Sequence, residues 1–589
     1  VKNVSTVLVA NRGEIALRII RGIHDYGSRS VAVYADQDRD ASFVDAADLA
    51  FSLDGSTAAQ TYLNADKILG IAQRSGADAI HPGYGFLAED PAFAEQVSNA
   101  GLTWIGPSGA AIARLGDKVQ ARRTALSVGV QPVPGTEDPL SSRTEVENFI
   151  SQFGFPIVIK RADGGGGRGI TVIREESDLN DFFSGRSEDS LGAFFVEKFI
   201  ERARHIETQC GRDSHGNFAV YSTRDCTVQR RHQKLIEEAP APFLDKQTQE
   251  VLSSASRQLF EGVDYVGLGT CEFLLDTDGS LYFLEVNPRL QVEHTVTEEV
   301  SGVDLVGQQL LIASGRKLTP PPAIRGHSIE FRITSEDPAQ DFAPSLGALS
   351  SITWPTGPGI RIDTGVEAGD EIAPDFDSMV AKLIVTGENR DHALKRATRA
   401  LSEISIQGIA TPLPAYQAIL ETDDFRTLSV WTRWLEEHFL TQFLETYSGE
   451  PASSGTAPPS NELTHFIIEI DGQRHDLAVP ANLFAGTNVS TTPRPPQPLR
   501  SGRAASKAIS EAGDEDTVTS PLQAIVVRLC VEAGQEVEAD QLVVVLESMK
   551  MEKHLYAPRA GIVEEILVSA GENVTPNQAL LRLAERNDQ

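Results

Sequence analysis

Positive charge is what this chain of 589 residues is short of: 52 Lys and Arg stand against 83 Asp and Glu, a formal net charge of −31. So acidic a surface argues against nucleic acid or an anionic membrane as a partner, since both select for cationic surfaces. Anionic small molecules stay open, because phosphate sites are built locally. The four cysteines, Cys210, Cys226, Cys271 and Cys530, have no CxxC spacing, so neither a zinc site nor a disulfide scaffold is expected. No apolar run nears the roughly 18 residues of a spanning helix, and the first residues lack the zones of a signal peptide. A cytoplasmic location is the expectation. The dinucleotide fingerprint GxGxxG is missing after the first strand, where Asn11-Arg12-Gly13-Glu14 stands, which argues against NAD or FAD. Methionine is scarcest, at three, and two of the three flank one lysine.

At one domain per roughly 100 to 200 residues, the length implies three to five domains. Residues 1–118 alternate short apolar strands (6–10, 30–34, 79–81, 103–105) with helical stretches, the pattern of a doubly wound parallel sheet. Residues 119–317 set strands around glycine-rich and charged loops, and 320–445 form a third, mixed α/β segment. Pro/Gly/Ser-rich stretches within 446–516 read as linkers around a hairpin at 464–483.

The last seventy or so residues carry a repeat. An offset of 37 pairs Pro521 with Pro558, Val526 with Val563, Val531 with Val568, Val537 with Val574 and Leu546 with Leu583. Short alternating strands repeated twice describe a flattened barrel over 517–586 with a pseudo-twofold axis. The turn joining its halves reads Met549-Lys550-Met551-Glu552, which makes Lys550 an exposed amine beside an adaptable apolar surface.

Further upstream, Gly164-Gly165-Gly166-Gly167 follows an apolar strand, and its backbone N–H groups could fold over phosphate oxygens. It is not a P-loop, because no GK[ST] follows. Glu272 and Glu285 sit in otherwise apolar strands with Asn287 one alternation on, so these carboxylates are either salt-bridged or offer Mg²⁺ the oxygen ligands it prefers. Arg289 offers a fork to a small planar oxyanion, Gln291 and the Val292 amide can bond its other oxygens, and Glu293 can accept a proton. Cys226 has no base beside it in sequence and reads as structural.

Together these motifs resemble the biotin-dependent carboxylases: Glu547-Ser548-Met549-Lys550-Met551 for the biotinyl domain, the glycine loop with Lys118 and Lys160 for an ATP-grasp domain, and Asn287 to His294 for biotin carboxylase. The resemblance implies a Rossmann-like N-terminal domain, an ATP-grasp domain, a biotin carboxylase C-terminal domain and an all-β carrier barrel. It assigns Glu272, Glu285 and Asn287 to Mg²⁺ or Mn²⁺. It places Lys118, Lys160 and His232 near the ATP phosphates, Glu197, Lys198 and Ile200 beside adenine, and His205 with Gln229 at the ribose. Lys234, Arg289, Gln291, Val292 and Glu293 go to bicarbonate, and Tyr84 and Arg361 to biotin. The implied reaction is ATP-driven phosphorylation of bicarbonate to carboxyphosphate, then carboxylation of biotin on Lys550. The order of domains most resembles acyl-CoA carboxylase α subunits of the actinobacterial type, serving fatty acid synthesis. The implied partners are a carboxyltransferase β subunit, a biotin protein ligase and further copies of the chain. A lipoyl carrier shares the barrel but usually lacks the paired methionines. A carbamoyl-phosphate type of ATP-grasp enzyme would share bicarbonate phosphorylation but not the barrel.

Overall fold

The computed structural model describes residues 4–136, 138–161, 170–184, 186, 188–447, 463–470, 473–480, 517–520, 524–548, 551–569, 572–574 and 578–584. The glycine loop 164–167, both expected linkers, and Met549 with Lys550 lie outside the described residues. The chain divides into two compact units, the first of them essentially residues 1–449.

The first unit begins with β1 (Thr6–Val9), β2 (Arg29–Tyr34), β3 (Leu49–Ser52), β4 (Ala79–His81) and β5 (Thr103–Trp104), all parallel in the order β3-β2-β1-β4-β5. Strands covered by helices on both faces read as continuous apolar runs, and Val7, Leu8 and Val9 are fully buried. The helix Gly13–Tyr26 follows β1 and ends where Gly27 takes φ +86°, a left-handed conformation that glycine adopts without penalty.

Three strands, β6 (Ile157–Arg161), β7 (Ile170–Ile173) and β8 (Phe194–Lys198), form a small antiparallel sheet in the order β7-β6-β8. The large sheet takes β9 (Arg204–Arg212), β10 (Phe218–Arg230), β11 (Gln233–Ala239), β12 (Gly267–Leu275), β13 (Leu281–Asn287) and β14 (His327–Thr334), then the strands Ile360–Thr364 and Met379–Gly387. From β13 the order runs β12, β9, β10, β11, β14, Met379–Gly387, Ile360–Thr364. The pairing of β11 with β14 (Ile236 with Phe331, Glu238 with Ile329) carries this sheet across the break expected near residues 317–320. Segments that read as separate in composition therefore share one hydrogen-bonded sheet.

In the second unit, Leu463–Ile470 and Gln473–Pro480 pair antiparallel as a hairpin. The barrel that follows has two four-stranded sheets. One runs Thr517–Thr519, Ala579–Ala584, Gly561–Ile566, Glu536–Val537; the other runs Met551–Tyr556, Leu542–Ser548, Ala524–Leu529, Asn573–Val574. Ala524–Leu529 and Gly561–Ile566 stand 37 residues apart, as do Glu536–Val537 and Asn573–Val574, and the members of each pair hold equivalent places in opposite sheets. The pseudo-twofold axis read from the repeat is thus the operation that exchanges the sheets. The repeat pairs Val526/Val563, Val531/Val568, Val537/Val574 and Leu546/Leu583 are all buried in one core.

Candidate active site

In an antiparallel ladder, directly opposed residues place their side chains on one face. Across the large sheet Glu285 opposes Glu272, Glu272 opposes Glu207, and Glu207 opposes Arg224. Four neighbouring strands thus present a row of charge on a single face. Arg224 and Glu207 are fully buried and ion-paired, and Arg224 also donates to Gln209 Oε1 (2.7 Å), Thr297 Oγ1 (2.9 Å) and Thr270 Oγ1 (3.1 Å).

Lys234, from β11, reaches into this row. Its Nζ lies 2.7 Å from Glu207 Oε2, 2.9 Å from Glu272 Oε1 and 2.7 Å from Glu293 Oε1. Burial works against the ammonium charge, but the three carboxylates more than reverse it and hold the lysine well above its usual value. Burial would likewise push Glu293 up, yet Lys234, Arg332 and Arg224 pull it well below the carboxylate range. Its second oxygen is 2.9 Å from Arg332, which bonds Glu237 with its Nε at 2.5 Å.

Glu272 Oε1 also accepts from Asn287 Nδ2 (2.8 Å) and Gln291 Nε2 (3.2 Å), and burial is again outweighed, by Lys234 and His205, so this carboxyl too is lowered. Glu285 moves the other way, raised by burial and then by the charge of Glu272. Opposed carboxylates on one face, with the Asn287 amide one alternation on, form an oxygen-rich set whose repulsion a divalent cation would relieve, so these residues fit Mg²⁺. His205, Glu207 and Glu272 also converge closely enough to share an ion, but Lys234 and Arg224 already meet Glu207 there. Arg289 donates to Asn287 Oδ1 (3.1 Å) and Gln291 Oε1 (3.1 Å), and its Nε is 3.0 Å from Glu89.

On the nucleotide side, Lys160 Nζ and Arg122 NH1 meet the two oxygens of Glu197 at 2.5 and 2.7 Å. Lys118 is lowered by burial and by the Lys160 charge, with Glu285 and Glu197 opposing. Ile200 packs with Val133 and Ala203 in a small apolar cluster beside the half-buried Lys198. Gln229 Nε2 and His205 Nδ1 are 2.7 Å apart, while His205 Nε2 is turned to Glu272 Oε2 at 2.9 Å. His232 sits at the β10–β11 turn with φ +65°, and desolvation of its ring with the charges of Lys160, Arg433 and Lys118 pulls it down to about 4.

The biotin-side expectations fall on the first helix and the strand Ile360–Thr364. Asn11 Nδ2 donates to the carbonyls of Pro82 and Tyr84, each at 2.7 Å, which is the structural use of the Asn-Arg-Gly-Glu motif. Gly83 sits at φ +66°, and a Cβ there would come within 2.8 Å of that amide. The Tyr84 hydroxyl donates to Glu14. Arg361 binds Asp363 through Nε and NH2, both at 2.8 Å, and gives NH1 to Glu298 (2.9 Å) and Glu299 (3.3 Å). Four of its five guanidinium N–H donors are thus taken by carboxylates, and Arg361 lines a cleft of about 620 Å³ together with Arg18 and Asp304.

The expected residues within the described set gather as three adjoining groups, with Glu272, Glu293 and Lys234 at the centre. Sequence reading passed over Glu207, Arg332, Asp363 and Lys382. The signal that found Glu272, a charged residue between apolar neighbours in a strand, applies to Arg332 and Lys382, whereas Glu207 and Asp363 each have a threonine beside them and carry no such mark. Cys226 is fully buried and burial raises its thiol, which removes it as a nucleophile.

Family models match most of the chain: "Biotin carboxylase, N-terminal domain" at 3–112, "Carbamoyl-phosphate synthase L chain, ATP binding domain" at 117–320, "Biotin carboxylase C-terminal domain" at 330–437 and "Biotin-requiring enzyme" at 516–583. The chain is 45% identical over 597 aligned residues to the biotin-dependent acyl-coenzyme A carboxylase alpha3 subunit of Mycobacterium leprae, with 98% of both chains covered. It is 41% identical to the biotin carboxylase of Halalkalibacterium halodurans, over 73% of this chain and 97% of that one. Among solved structures, the biotin carboxylase domain of Hydrogenobacter thermophilus 2-oxoglutarate carboxylase, in complex with magnesium ADP and bicarbonate, superposes with a TM-score of 0.71 at 40% identity, covering 74% of this chain and 97% of that chain.

Proposed function

Because the chain belongs to the α subunits of biotin-dependent acyl-CoA carboxylases, we propose that Glu293, Lys234, Arg289 and Arg361 are the groups through which it carboxylates a biotin held on Lys550. The enzyme is an ATP-dependent ligase of biotin carboxylase type, using ATP, Mg²⁺ and covalent biotin. The observation that carries the residue assignment is the buried contact of Lys234 with Glu293 and Glu272.

Glu293 is ionised but weakly basic while two cations hold it. Bicarbonate taken up against Lys234 and Arg289 would draw cationic charge from Glu293, raise its proton affinity and let it accept the bicarbonate proton at the carboxylate oxygen. Arg289, Gln291 and the Val292 amide orient the anion, with its nucleophilic oxygen toward the phosphates held by Lys118, Lys160 and His232. Mg²⁺, held by Glu272, Glu285 and Asn287, would neutralise phosphate charge. Neutral His232 can donate to a phosphate oxygen without adding a fixed charge. The remaining N–H of Arg361 would donate to a ureido oxygen, with Asp363 and Glu298 keeping its guanidinium plane from turning. Burial of this whole row excludes water, which strengthens each of these contacts.

We assign the next step, transfer to acetyl-CoA or propionyl-CoA for fatty acid synthesis, to a separate carboxyltransferase β subunit. Biotin protein ligase would load Lys550. Two measurements test the reading. Intact mass and avidin binding of Lys550→Arg should show no attached biotin, and retained biotin would refute the assignment. The isolated chain given ATP, Mg²⁺, bicarbonate and either acyl-CoA should cleave ATP but release no malonyl-CoA or methylmalonyl-CoA until a β subunit is added.

A further inference from the structure

Lys382 lies in the strand Met379–Gly387 between Ala381 and Leu383, and its side chain is fully buried. An ammonium at that depth is costly unless its charge and N–H donors are met. Its Nζ donates to the Val292 carbonyl at 3.0 Å and stands 3.2 Å from Glu14 Oε2. Glu330 and Asp363 face it as well, with Arg361 as the opposing cation.

These two direct contacts lead to different substrates' loops. The Gln291 carbonyl lies 2.7 Å from the His294 ring Nδ1. Lys382 takes the next carbonyl, that of Val292. The peptide planes on either side of Val292 are therefore both pinned, which aims the Val292 N–H and fixes the start of Glu293. The other contact, Glu14, is the acceptor of the Tyr84 hydroxyl. The close approach is built into the backbone too: a Cβ at Gly365 would lie 2.4 Å from the Glu14 nitrogen, so only glycine lets this segment sit against the first helix.

We propose that Lys382 is a positioning residue for biotin carboxylation, one buried ammonium that holds the Val292 carbonyl and the Glu14 carboxylate and so sets the bicarbonate loop and Tyr84 at a fixed separation. The inference rests on the reading above that Gln291 to Glu293 receive bicarbonate and that Tyr84 faces biotin. Lys382 itself touches neither substrate. Each arm ends on a group that receives a substrate, the Val292 amide for bicarbonate and Tyr84 for biotin, so loosening Lys382 is expected to weaken the binding of both.

The test uses the full chain with free biotin as acceptor, following ATP cleavage while bicarbonate, biotin and ATP are varied in turn. Lys382→Met is expected to raise the KM for bicarbonate about tenfold and that for biotin several-fold, with the KM for ATP within about twofold; Lys382→Arg, which keeps the charge, should recover part of both. A lower kcat with all three KM values unchanged is the mark of a smaller folded fraction and overturns the proposal. Should Lys382→Met fail to fold, Glu14→Leu decides: it removes the acceptor that joins Lys382 to Tyr84 and leaves the Val292 contact, so the biotin KM should rise while the bicarbonate KM holds, and an unchanged biotin KM overturns the proposal. Glu293→Gln, run alongside, separates the two levels. If it keeps bicarbonate-dependent ATP cleavage, the site reading itself falls. If it loses that activity while Lys382→Met keeps the wild-type bicarbonate KM, only the role of Lys382 falls.

Discussion

In the carrier barrel, Val526, Val544, Val563, Leu546 and Leu580 are sealed from solvent, and Ser520 is the one buried polar side chain among the described residues there. In the large sheet of the catalytic unit and the turn packed on it, the same depth holds Glu207, Arg224, Glu237, Glu293, Glu330 and Lys382. The barrel is held by area removed from water, which is non-directional and tolerates substitutions that conserve volume. The sheet has an apolar core of its own but adds buried ionisable groups that each need a particular partner, and a buried ion pair adds little to stability over an apolar replacement while its half-removal is severe. The contrast follows the division of work. A carrier has only to fold and present one lysine, whereas a site that handles bicarbonate and phosphate needs preorganised charge and accepts a less stable interior to hold it.

The sharpest break in that contrast should come from Glu293→Gln. It keeps shape and removes the base, so bicarbonate-dependent ATP cleavage is expected to fall by about 10² to 10⁴, measured with nucleotide binding as the control. Lys234→Met should come next, leaving Glu207, Glu272 and Glu293 without their shared cation. A loss of about 3–5 kcal/mol is expected in urea unfolding of the first unit at pH 7. That deficit should shrink as pH falls and the carboxylates take up protons. A deficit independent of pH would mean that volume, not charge, is what Lys234 contributes.

In the barrel, Leu546→Ala should cost about 2–5 kcal/mol by cavity formation. It should be insensitive to pH and leave carboxylation of free biotin by the first unit untouched; a drop in that activity would blur the separation drawn here.

The smallest and most discriminating effect lies in two adjacent residues of β11. Glu238 is brought down to about 2 against burial, by His327 and Arg390. Its stabilisation is present above the ordinary value of 4.5 and is lost as pH falls toward about 2, so Glu238→Gln should destabilise at pH 7 and little at pH 2 to 3. Glu237 is pushed up to about 7 by burial and by the charge of Glu293, against Arg332. Its contribution is fully present below about 4.5 and is lost as pH rises through about 7, so Glu237→Gln should flatten the fall in stability over that window. Stability against pH for the two variants should therefore depart from the parent in opposite directions.

Much of the site was legible because its chemistry is local in sequence. Glu272 and Glu285 announce themselves as acids in apolar strands, and the segment from Asn287 to Glu293 brings an anion-binding fork and a base within seven residues. What was not legible came from other strands. Arg332, Asp363 and Lys382 lie on β14, Ile360–Thr364 and Met379–Gly387, and nothing local says that these strands extend the sheet beyond β11 and bring their charges to Glu293 and Arg361.

The sequence by itself determined the carrier barrel. Its 37-residue repeat places Val526 against Val563 as equivalents, and alternation decides which side chains face inward, because a period of two leaves one register that buries them all. Only the tertiary structure decided that residues on both sides of position 320 belong to one sheet, and that Lys234 would face three carboxylates at once. The physical reason is the range of the interactions. Apolar burial needs only a pattern along the chain, whereas a buried charge is defined by partners that strand pairing brings from elsewhere in the sequence.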